Sequence, residues 1–358
     1  MRTAATFSIL ALLIFTATVS AQTTRPAKKL IEFGWDEPDT AFLRKHIATM
    51  EQTPFDGTVF HLPGDFLGQC WGKRRFTQAE LQPAMDDLKN TRIRKFTHNF
   101  LRFNVTPGDV DWFDDFSAVV NNAKLAAKIA KEGKAAGILF DIEQYGSPLF
   151  DYRKARDVKG KSFEQYAQQA RTRGREVMAA FEQGFPDVTV FLTFGYSLPL
   201  VQGAKDKSKL ADVEYGLLAP FLDGMFDAAA GHAKIVDGFE ISYGWRQMSE
   251  FDDGIRTMRS AVLPLVADAQ KYQKHMSAGF GLWMDFDWRK KGWDEKDPSK
   301  NYFTPAQFEA SVKKALSTAD EYVWIYTEKP KWWTPPDAKP DVLPREYEQA
   351  LRRAAGRQ

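Results

Sequence analysis

The ten residues GILFDIEQYG (137–146) have the form of a buried strand that ends in acids. Side chains alternate between the two faces of a strand, so Leu139, Asp141 and Glu143 share one face, while the residues between them form an apolar face. What the acids mean depends on how many similar strands accompany this one.

Eight apolar runs, each rich in aromatic or β-branched residues and bounded by turn residues, predict eight strands. The runs are LIEFGW from residue 30, FDGTVFHL from 55, FTHNFLRF from 96, GILFDIE from 137, VTVFLTFGY from 188, VDGFEISY from 236, SAGFGLWMDF from 277 and EYVWIYTE from 321. Helix-like segments separate the runs, and capping boxes begin at Thr77, Ser162 and Thr304. This alternation predicts an α/β fold, a single (β/α)8 TIM barrel.

The competing architecture is a doubly wound parallel sheet, which needs a glycine-rich phosphate loop after its first strand. Here the first strand is followed by Asp36, Glu37 and Pro38. The sequence contains no G-x-G-x-x-G, G-K-[ST] or G-x-S-x-G motif. No linker or low-complexity tract divides the chain, so we expect the barrel to occupy residues 22–358 as one domain.

The first 21 residues have the form of a secretory signal peptide. Arg2 supplies positive charge, residues 7–15 form an apolar core, and Val19 and Ala21 fit a cleavage site for small residues. The apolar core is shorter than the roughly 18 residues that a membrane span needs. We therefore expect a secreted or periplasmic protein with no stable membrane insertion after cleavage; an uncleaved N-terminal anchor is the alternative.

The composition excludes several classes of partner and site. Lys and Arg total 49 against 47 Asp and Glu, with the signs interspersed, which argues against a nucleic acid partner. The single cysteine, Cys70, cannot form an intramolecular disulfide and is expected to be a small buried residue. The five histidines show no spacing typical of a zinc or binuclear metal site, so no metal and no cofactor are predicted, and a calcium or magnesium site made of carboxylates is the alternative that stays open.

Acids and aromatic residues dominate the carboxyl ends of the predicted strands, where TIM barrels build their active sites. The candidate catalytic acids are Asp141, Glu143, Glu240 and Asp285. The candidate substrate-binding residues are Trp35, Asp36, His61, Asn99, Arg102, Tyr145, Tyr196, Tyr243, Trp283, Trp324, Tyr326 and Glu328. Carboxyl groups that converge from separate strands suit an acid paired with a base or nucleophile, and aromatic faces suit stacking on sugar rings.

In these features the chain resembles the TIM-barrel glycoside hydrolases. The likeness in architecture spans the whole mature chain, but the motifs that carry it are short. In many such families the acid/base is a glutamate at the end of strand four, the position of Glu143. The chitinase-type family 18 carries the signature D-x-x-D-x-D-x-E there. Asp141 and Glu143 match its last two members, whereas alanine and leucine occupy the other acidic positions. Tyr243 and Trp324 resemble a tyrosine after strand six and a tryptophan in strand eight of that family.

Other retaining barrels place a nucleophile at the end of strand seven, where Asp285 stands. Gly279 and Gly281 share its predicted face and leave room near the barrel axis. These two observations favour Asp285 over Glu240 as the partner of Glu143. The spacing of the two carboxyl groups would then decide between retention and inversion.

The resemblance implies an exported enzyme that hydrolyses glycosidic bonds of a poly- or oligosaccharide. A barrel that has lost one catalytic acid and binds carbohydrate without cleaving it is the alternative, because fold alone does not determine function. Structural roles also stay open for single residues. Asp36 can cap the following helix, Asp141 can orient its neighbour, and strand tryptophans commonly belong to a core.

Overall fold

The computed structural model of the protein describes residues 27–334, 339 and 341–357, so the predicted signal peptide lies outside the described residues. The strands are β1 (Lys29–Glu32), β2 (Gly57–Phe60), β3 (Phe100–Asn104), β4 (Gly137–Asp141), β5 (Thr189–Leu192), β6 (Lys234–Asp237), β7 (Met276–Ala278), β8 (Phe280–Trp283) and β9 (Tyr322–Tyr326). Every paired neighbour is parallel.

The sheet curves into a nearly closed barrel, which confirms the predicted α/β barrel. Its strands run in sequence order from β1 to β6, β6 pairs with β7, and β9 pairs with β1. The predicted seventh strand is interrupted at Gly279 between β7 and β8, and β8 pairs with β9 rather than with β6. This interruption is the reason that eight predicted runs give nine strands.

Helices follow the strands and cover the outside of the barrel. They are α1 (Thr40–Met50), α2 (Phe66–Gln69), α3 (Gln78–Asn90), α4 (Ser117–Glu132), α5 (Phe163–Gly184), α6 (Ser197–Val201), α7 (Leu218–Ala228), α8 (Met248–Arg256), α9 (Ala269–His275), α10 (Pro305–Thr318) and α11 (Arg345–Ala354). Short 3-10 turns cover Tyr152–Lys154, Lys207–Asp212, Glu240–Ser242, Leu263–Leu265 and Pro298–Lys300, and a π-helical turn covers Thr257–Ala261. Thr77, Ser162 and Thr304 form the predicted capping boxes.

Two apolar cores support the sheet. The smaller core fills the barrel with Ile31, Phe33, Val59, Phe100, Leu139, Phe191, Val236, Tyr322 and Trp324. The larger core lies between the sheet and the helices. Gly281 is required by the inner packing, because a Cβ atom there would lie 2.6 Å from Cε2 of Trp324. None of the described helices is long and apolar enough to cross a membrane.

Cys70 belongs to the outer core, as the sequence predicts. Its side chain is fully buried, and Sγ lies 3.3 Å from the carbonyl oxygen of Asn104. Burial raises the pKa of the Cys70 thiol to about 12, so the thiolate that reacts with electrophiles is scarce at neutral pH.

Candidate active site

A cavity of about 440 Å³ opens at the carboxyl ends of the strands. Its wall consists of Phe33, Gly34, Trp35, Arg102, Glu143, Tyr145, Thr193, Glu240, Tyr243, Trp283, Tyr326 and Glu328. We call it the central cavity. Its volume lies in the range of roughly 300–1,000 Å³ in which small-molecule sites are found.

Three glutamates line this cavity, and two of them, Glu143 and Glu240, follow β4 and β6. Glu143 follows β4 by two residues; its backbone N–H donates to Oδ1 of Asp141 over 3.1 Å, and the Tyr145 hydroxyl donates to its Oε2. Glu240 follows a left-handed residue, Phe239, whose φ is +47°. This bend turns the chain out of β6 immediately before Glu240.

Buried Asp237, the last residue of β6, holds that bend in place. Its Oδ1 accepts hydrogen bonds from the backbone N–H groups of Phe239 and Gly195, each over 3.0 Å. Ser197 donates to its Oδ2 over 3.3 Å. The carboxylate of Asp237 is thus occupied by these hydrogen bonds. Glu240, and not Asp237, is the acid after β6 that lines the central cavity.

Glu143 and Glu240 hold protons more tightly than exposed glutamates do. Burial, followed by repulsion from Asp141, raises the pKa of Glu143 to about 7, although the Tyr145 hydrogen bond opposes this shift. Burial, followed by repulsion from Glu143 and Asp141, raises the pKa of Glu240 to about 9. Oε2 of Glu240 is buried and has no hydrogen-bond partner among the described residues.

A chain of ionisable side chains extends from Arg102, which lines the central cavity, into the wall behind it. Arg102 donates to Oδ2 of Asp141 over 2.6 Å and to Oε2 of Glu37 over 2.8 Å. Oε1 of Glu37 lies 3.5 Å from Nδ1 of His61. Although burial opposes it, hydrogen bonding to His61 and the charge of Arg102 lower the pKa of Glu37. Asp141 is 1 % exposed, so Arg102, and not Asp141, is the member that faces the cavity.

Aromatic rings form the opposite side. The rings of Tyr243 and Tyr326 stack with centroids 5.4 Å apart and an interplanar angle of 17°. Trp283 packs edge-on against both of these rings. The Trp35 indole, 69 % exposed, donates to the Tyr326 hydroxyl over 2.7 Å. Flat apolar surfaces beside carboxyl groups are suited to the faces of sugar rings.

Asp285, the partner that the sequence favours, does not line the central cavity. Its Oδ1 accepts from the Trp283 indole over 2.9 Å and from the backbone N–H of Glu328 over 3.0 Å. Its Oδ2 accepts from the backbone N–H of Lys329 over 3.0 Å. These contacts occupy the carboxylate in joining two loops, and they favour Glu240 over Asp285 as the partner of Glu143.

Four other predicted binding residues lie in packed regions. Asp36 accepts from the backbone N–H of Trp332 over 2.6 Å, and Asn99 accepts from the backbone N–H of Thr58 over 3.0 Å. The hydroxyl of buried Tyr196 donates to Asp223 over 2.8 Å, and the indole of Trp324 donates to the Gly238 carbonyl over 2.8 Å. These bonds give all four residues a structural role. A fifth predicted residue, His61, lines a neighbouring cavity.

The sequence interpretation missed three residues of the central cavity, Phe33, Gly34 and Thr193. Phe33 alternates in phase with Ile31 and therefore faces the barrel interior, a signal present in the sequence. Gly34 has no such signal; a Cβ atom there would lie 2.5 Å from the carbonyl oxygen of Thr327. Glu37 directly follows the first strand in the sequence, but its pairing with Arg102 depends on the fold and has no local sequence signal.

Within the part of the chain that the structure describes, no three His, Cys, Asp or Glu side chains are grouped so as to hold a metal ion.

Comparison with known proteins gives distant structural likenesses. No family model and no curated protein matches the sequence. XacCel5A, solved with cellopentaose, is 10% identical, with 87% of this chain and 90% of that chain covered and a TM-score of 0.45. An endocellulase from Pyrococcus horikoshii, solved with cellotetraose, is 10% identical, with 92% of both chains covered and a TM-score of 0.45. A mutant O-GlcNAc hydrolase from Thermobaculum terrenum is 10% identical, with 93% of this chain and 63% of that chain covered and a TM-score of 0.43.

Proposed function

We propose that this chain is a glycoside hydrolase in which Glu143 and Glu240 carry out the reaction. The observation that supports the proposal is the pair itself: Glu143 and Glu240, two partly buried glutamates with raised pKa values, share one cavity with aromatic walls at the carboxyl end of a barrel. Glycoside hydrolysis needs two carboxyl groups at the scissile bond, one protonated and one ionised.

The difference between the two pKa values assigns the roles. Glu240, with the pKa of about 9, holds its proton at neutral pH and protonates the oxygen of the leaving group. Glu143, with the pKa of about 7, is the first of the two to ionise. Its carboxylate, hydrogen-bonded by Tyr145, attacks the anomeric carbon or deprotonates a water. This assignment gives Glu143 the role of base or nucleophile instead of the acid role that its position in strand four suggests.

The walls of the central cavity indicate the class of substrate. The rings of Tyr243, Tyr326 and Trp283 offer apolar surfaces, and the Arg102 guanidinium and the carboxyl groups offer donors and acceptors for hydroxyl groups. This mixture fits a neutral poly- or oligosaccharide. We infer from residues 1–21 that the protein acts outside the cytoplasm, which fractionation and N-terminal sequencing of the mature protein would test.

The test begins with the purified protein and a panel of polysaccharides and 4-nitrophenyl glycosides, with reducing-end and nitrophenol release as readouts. We expect turnover of at least one class of glycoside. Glu143→Gln and Glu240→Gln should each fold normally and lose roughly 10²–10⁴-fold in kcat on the unactivated substrate. Glu346→Gln, an exposed glutamate of α11, is the matched control and should retain full activity.

The roles are separated by the leaving group. Nitrophenol leaves without protonation, so Glu240→Gln should keep much more of its activity on the nitrophenyl glycoside than on the polysaccharide, whereas Glu143→Gln should lose both. Equal losses on the two substrates for Glu240→Gln would remove it from the acid role. Tight binding of a polysaccharide with no release from any substrate would replace the hydrolase with the carbohydrate-binding barrel.

A further inference from the structure

A second cavity of about 400 Å³ lies beside the central one, between the end of β1 and the face of α1. We call it the α1 compartment, and the side chains that define it here are Trp35, Glu37, Phe42, Lys45, His46 and His61. No step of the proposed reaction uses it. Its volume lies within the range of roughly 300–1,000 Å³ for small-molecule sites.

The two cavities share a wall. Trp35 lines both of them, and its ring is held by the hydrogen bond to Tyr326 and by Lys331, whose Nζ lies 5.6 Å from the ring centroid. The ion pair of Arg102 with Glu37 joins the central cavity to the α1 compartment over 2.8 Å. Trp35 is thus the lining residue that the two cavities have in common.

The groups in the compartment suit a neutral, hydroxyl-rich ring. The Phe42 and His46 rings pack 4.3 Å apart and form an apolar side. Nδ1 of His61 faces Oε1 of Glu37 at 3.5 Å, so these two groups contact each other across the wall of the compartment. Lys45 also lines the compartment, and its ammonium group can donate hydrogen bonds to the hydroxyl groups of a sugar ring.

We infer that the α1 compartment is a second sugar-binding subsite and that the substrate is an oligosaccharide or polysaccharide chain that crosses Trp35. This inference rests on the proposed function, because it extends the substrate of the same site. It assigns Trp35 as the platform between the two subsites and α1 as the element that determines the preferred chain length.

The histidines provide a local test. The chain has five, and only His46 and His61 lie in the α1 compartment; His98, His232 and His275 lie elsewhere. The Glu143→Gln protein is titrated with short neutral oligosaccharides from cellulose, xylan, mannan and chitin while the histidine ring signals are followed by NMR. We expect the signals of His46 and His61 to move and the other three to stay. Binding of the pool, measured by native mass spectrometry, without movement of either signal would overturn the subsite, as would no binding.

A filling variant tests the compartment kinetically. Ala41 is an exposed residue of α1 that lines the compartment but not the central cavity, so Ala41→Trp should block the subsite. Ala48→Trp places the same ring at an exposed position of α1 outside the compartment and is the control. We expect Ala41→Trp to lower kcat/KM roughly tenfold on the longest oligosaccharide and to leave the nitrophenyl monosaccharide unchanged, the loss typical of one aromatic contact.

The outcomes separate this inference from the proposed function. Turnover with equal kcat/KM for Ala41→Trp and Ala48→Trp on long chains would overturn the subsite and keep the hydrolase. Movement of the His46 and His61 signals in a protein that hydrolyses nothing would keep the subsite and overturn the hydrolase. A matched loss for Trp35→Ala, but not for Trp288→Ala, would support the platform, since these two tryptophans are 69% and 66% exposed.

Discussion

At the scale of single residues, the proposed chemistry depends on how many protons Glu143 and Glu240 hold together. Burial and mutual repulsion raise both pKa values, so the pair holds two protons at acidic pH and none at strongly alkaline pH. Between these limits it holds one, the state that hydrolysis needs. Asp141 contributes to both shifts through its charge, although Arg102 neutralises much of it.

The first prediction is a bell-shaped dependence of kcat/KM on pH. Activity should rise as Glu143 ionises near pH 7 and fall as Glu240 loses its proton near pH 9. Asp141→Asn removes a negative charge that raises both values, so both limbs should move to lower pH. Asp86→Asn, an exposed aspartate of α3, should leave the profile unchanged. A profile of Asp141→Asn that moves to higher pH would contradict this electrostatic account.

At the scale of elements, Asp285 joins the loop after β8 to the end of β9. Its carboxylate accepts hydrogen bonds from Trp283, Glu328 and Lys329. Tyr326 is the last residue of β9 and Glu328 lies two residues beyond it, and both line the central cavity. The carboxylate thus orders the aromatic side of the cavity through the backbone.

A second prediction follows for Asp285→Ala. Loss of the carboxylate removes the acceptor of three N–H groups that are partly buried or exposed, so we expect the unfolding free energy to fall by about 1–3 kcal/mol, together with a higher KM. Azide should not restore activity, because the proposed reaction does not use Asp285 as its nucleophile. Asp86→Ala is the control for charge and size. A variant with unchanged stability, nearly inactive but rescued by azide, would return the nucleophile to Asp285.

At the scale of the whole molecule, a buried pair of acids connects the first strand to the C-terminal part of the chain. Thr58 donates to Glu32 Oε2 over 2.7 Å, and Asp36 Oδ2 accepts from the backbone of Trp332 and Trp333. Burial, and then the charge and hydrogen bond of Asp36, raise the pKa of Glu32 well above its ordinary value; burial also raises the pKa of Asp36. The folded barrel therefore retains a proton there that the unfolded chain releases.

This retained proton gives a third prediction. The pKa of Glu32 is higher in the folded protein than the value of about 4.3 for a glutamate in the unfolded chain. The contribution of Glu32 to the free energy of unfolding is therefore fully present below about pH 4.3 and is lost as the pH rises through the folded pKa. Glu32→Gln carries no titrating proton, so its unfolding free energy should fall less steeply with pH, by up to about 1.4 kcal/mol per pH unit. Chemical denaturation between pH 4 and 8 measures the slopes, with the exposed Glu346→Gln as control. Equal slopes for the wild type and Glu32→Gln would contradict the retention of a proton by Glu32 in the folded protein.

Much of the molecule could be predicted from the sequence because apolar alternation reports burial directly. All eight runs contain strands, and alternation placed Tyr326 correctly beside the cavity. Alternation stops where a strand stops, however. Asp285 lies two residues past the end of β8 and Tyr196 four past the end of β5, so turns and not strand phase set their directions. Asn99 precedes β3 and lies at the opposite end of that strand.

The interior position of Cys70 has a practical consequence for experiments on this protein. Since it is the single cysteine and its thiol is buried, a maleimide dye should leave the native wild type unlabelled. A thiol introduced at Gly146 would then be the one labelled site, because this glycine is exposed, has a φ available to other residues and would have no atom within 4 Å of a new Cβ. Such a fluorophore would sit one residue from Tyr145 at the cavity mouth, where its emission could register the arrival and departure of a glycan in real time.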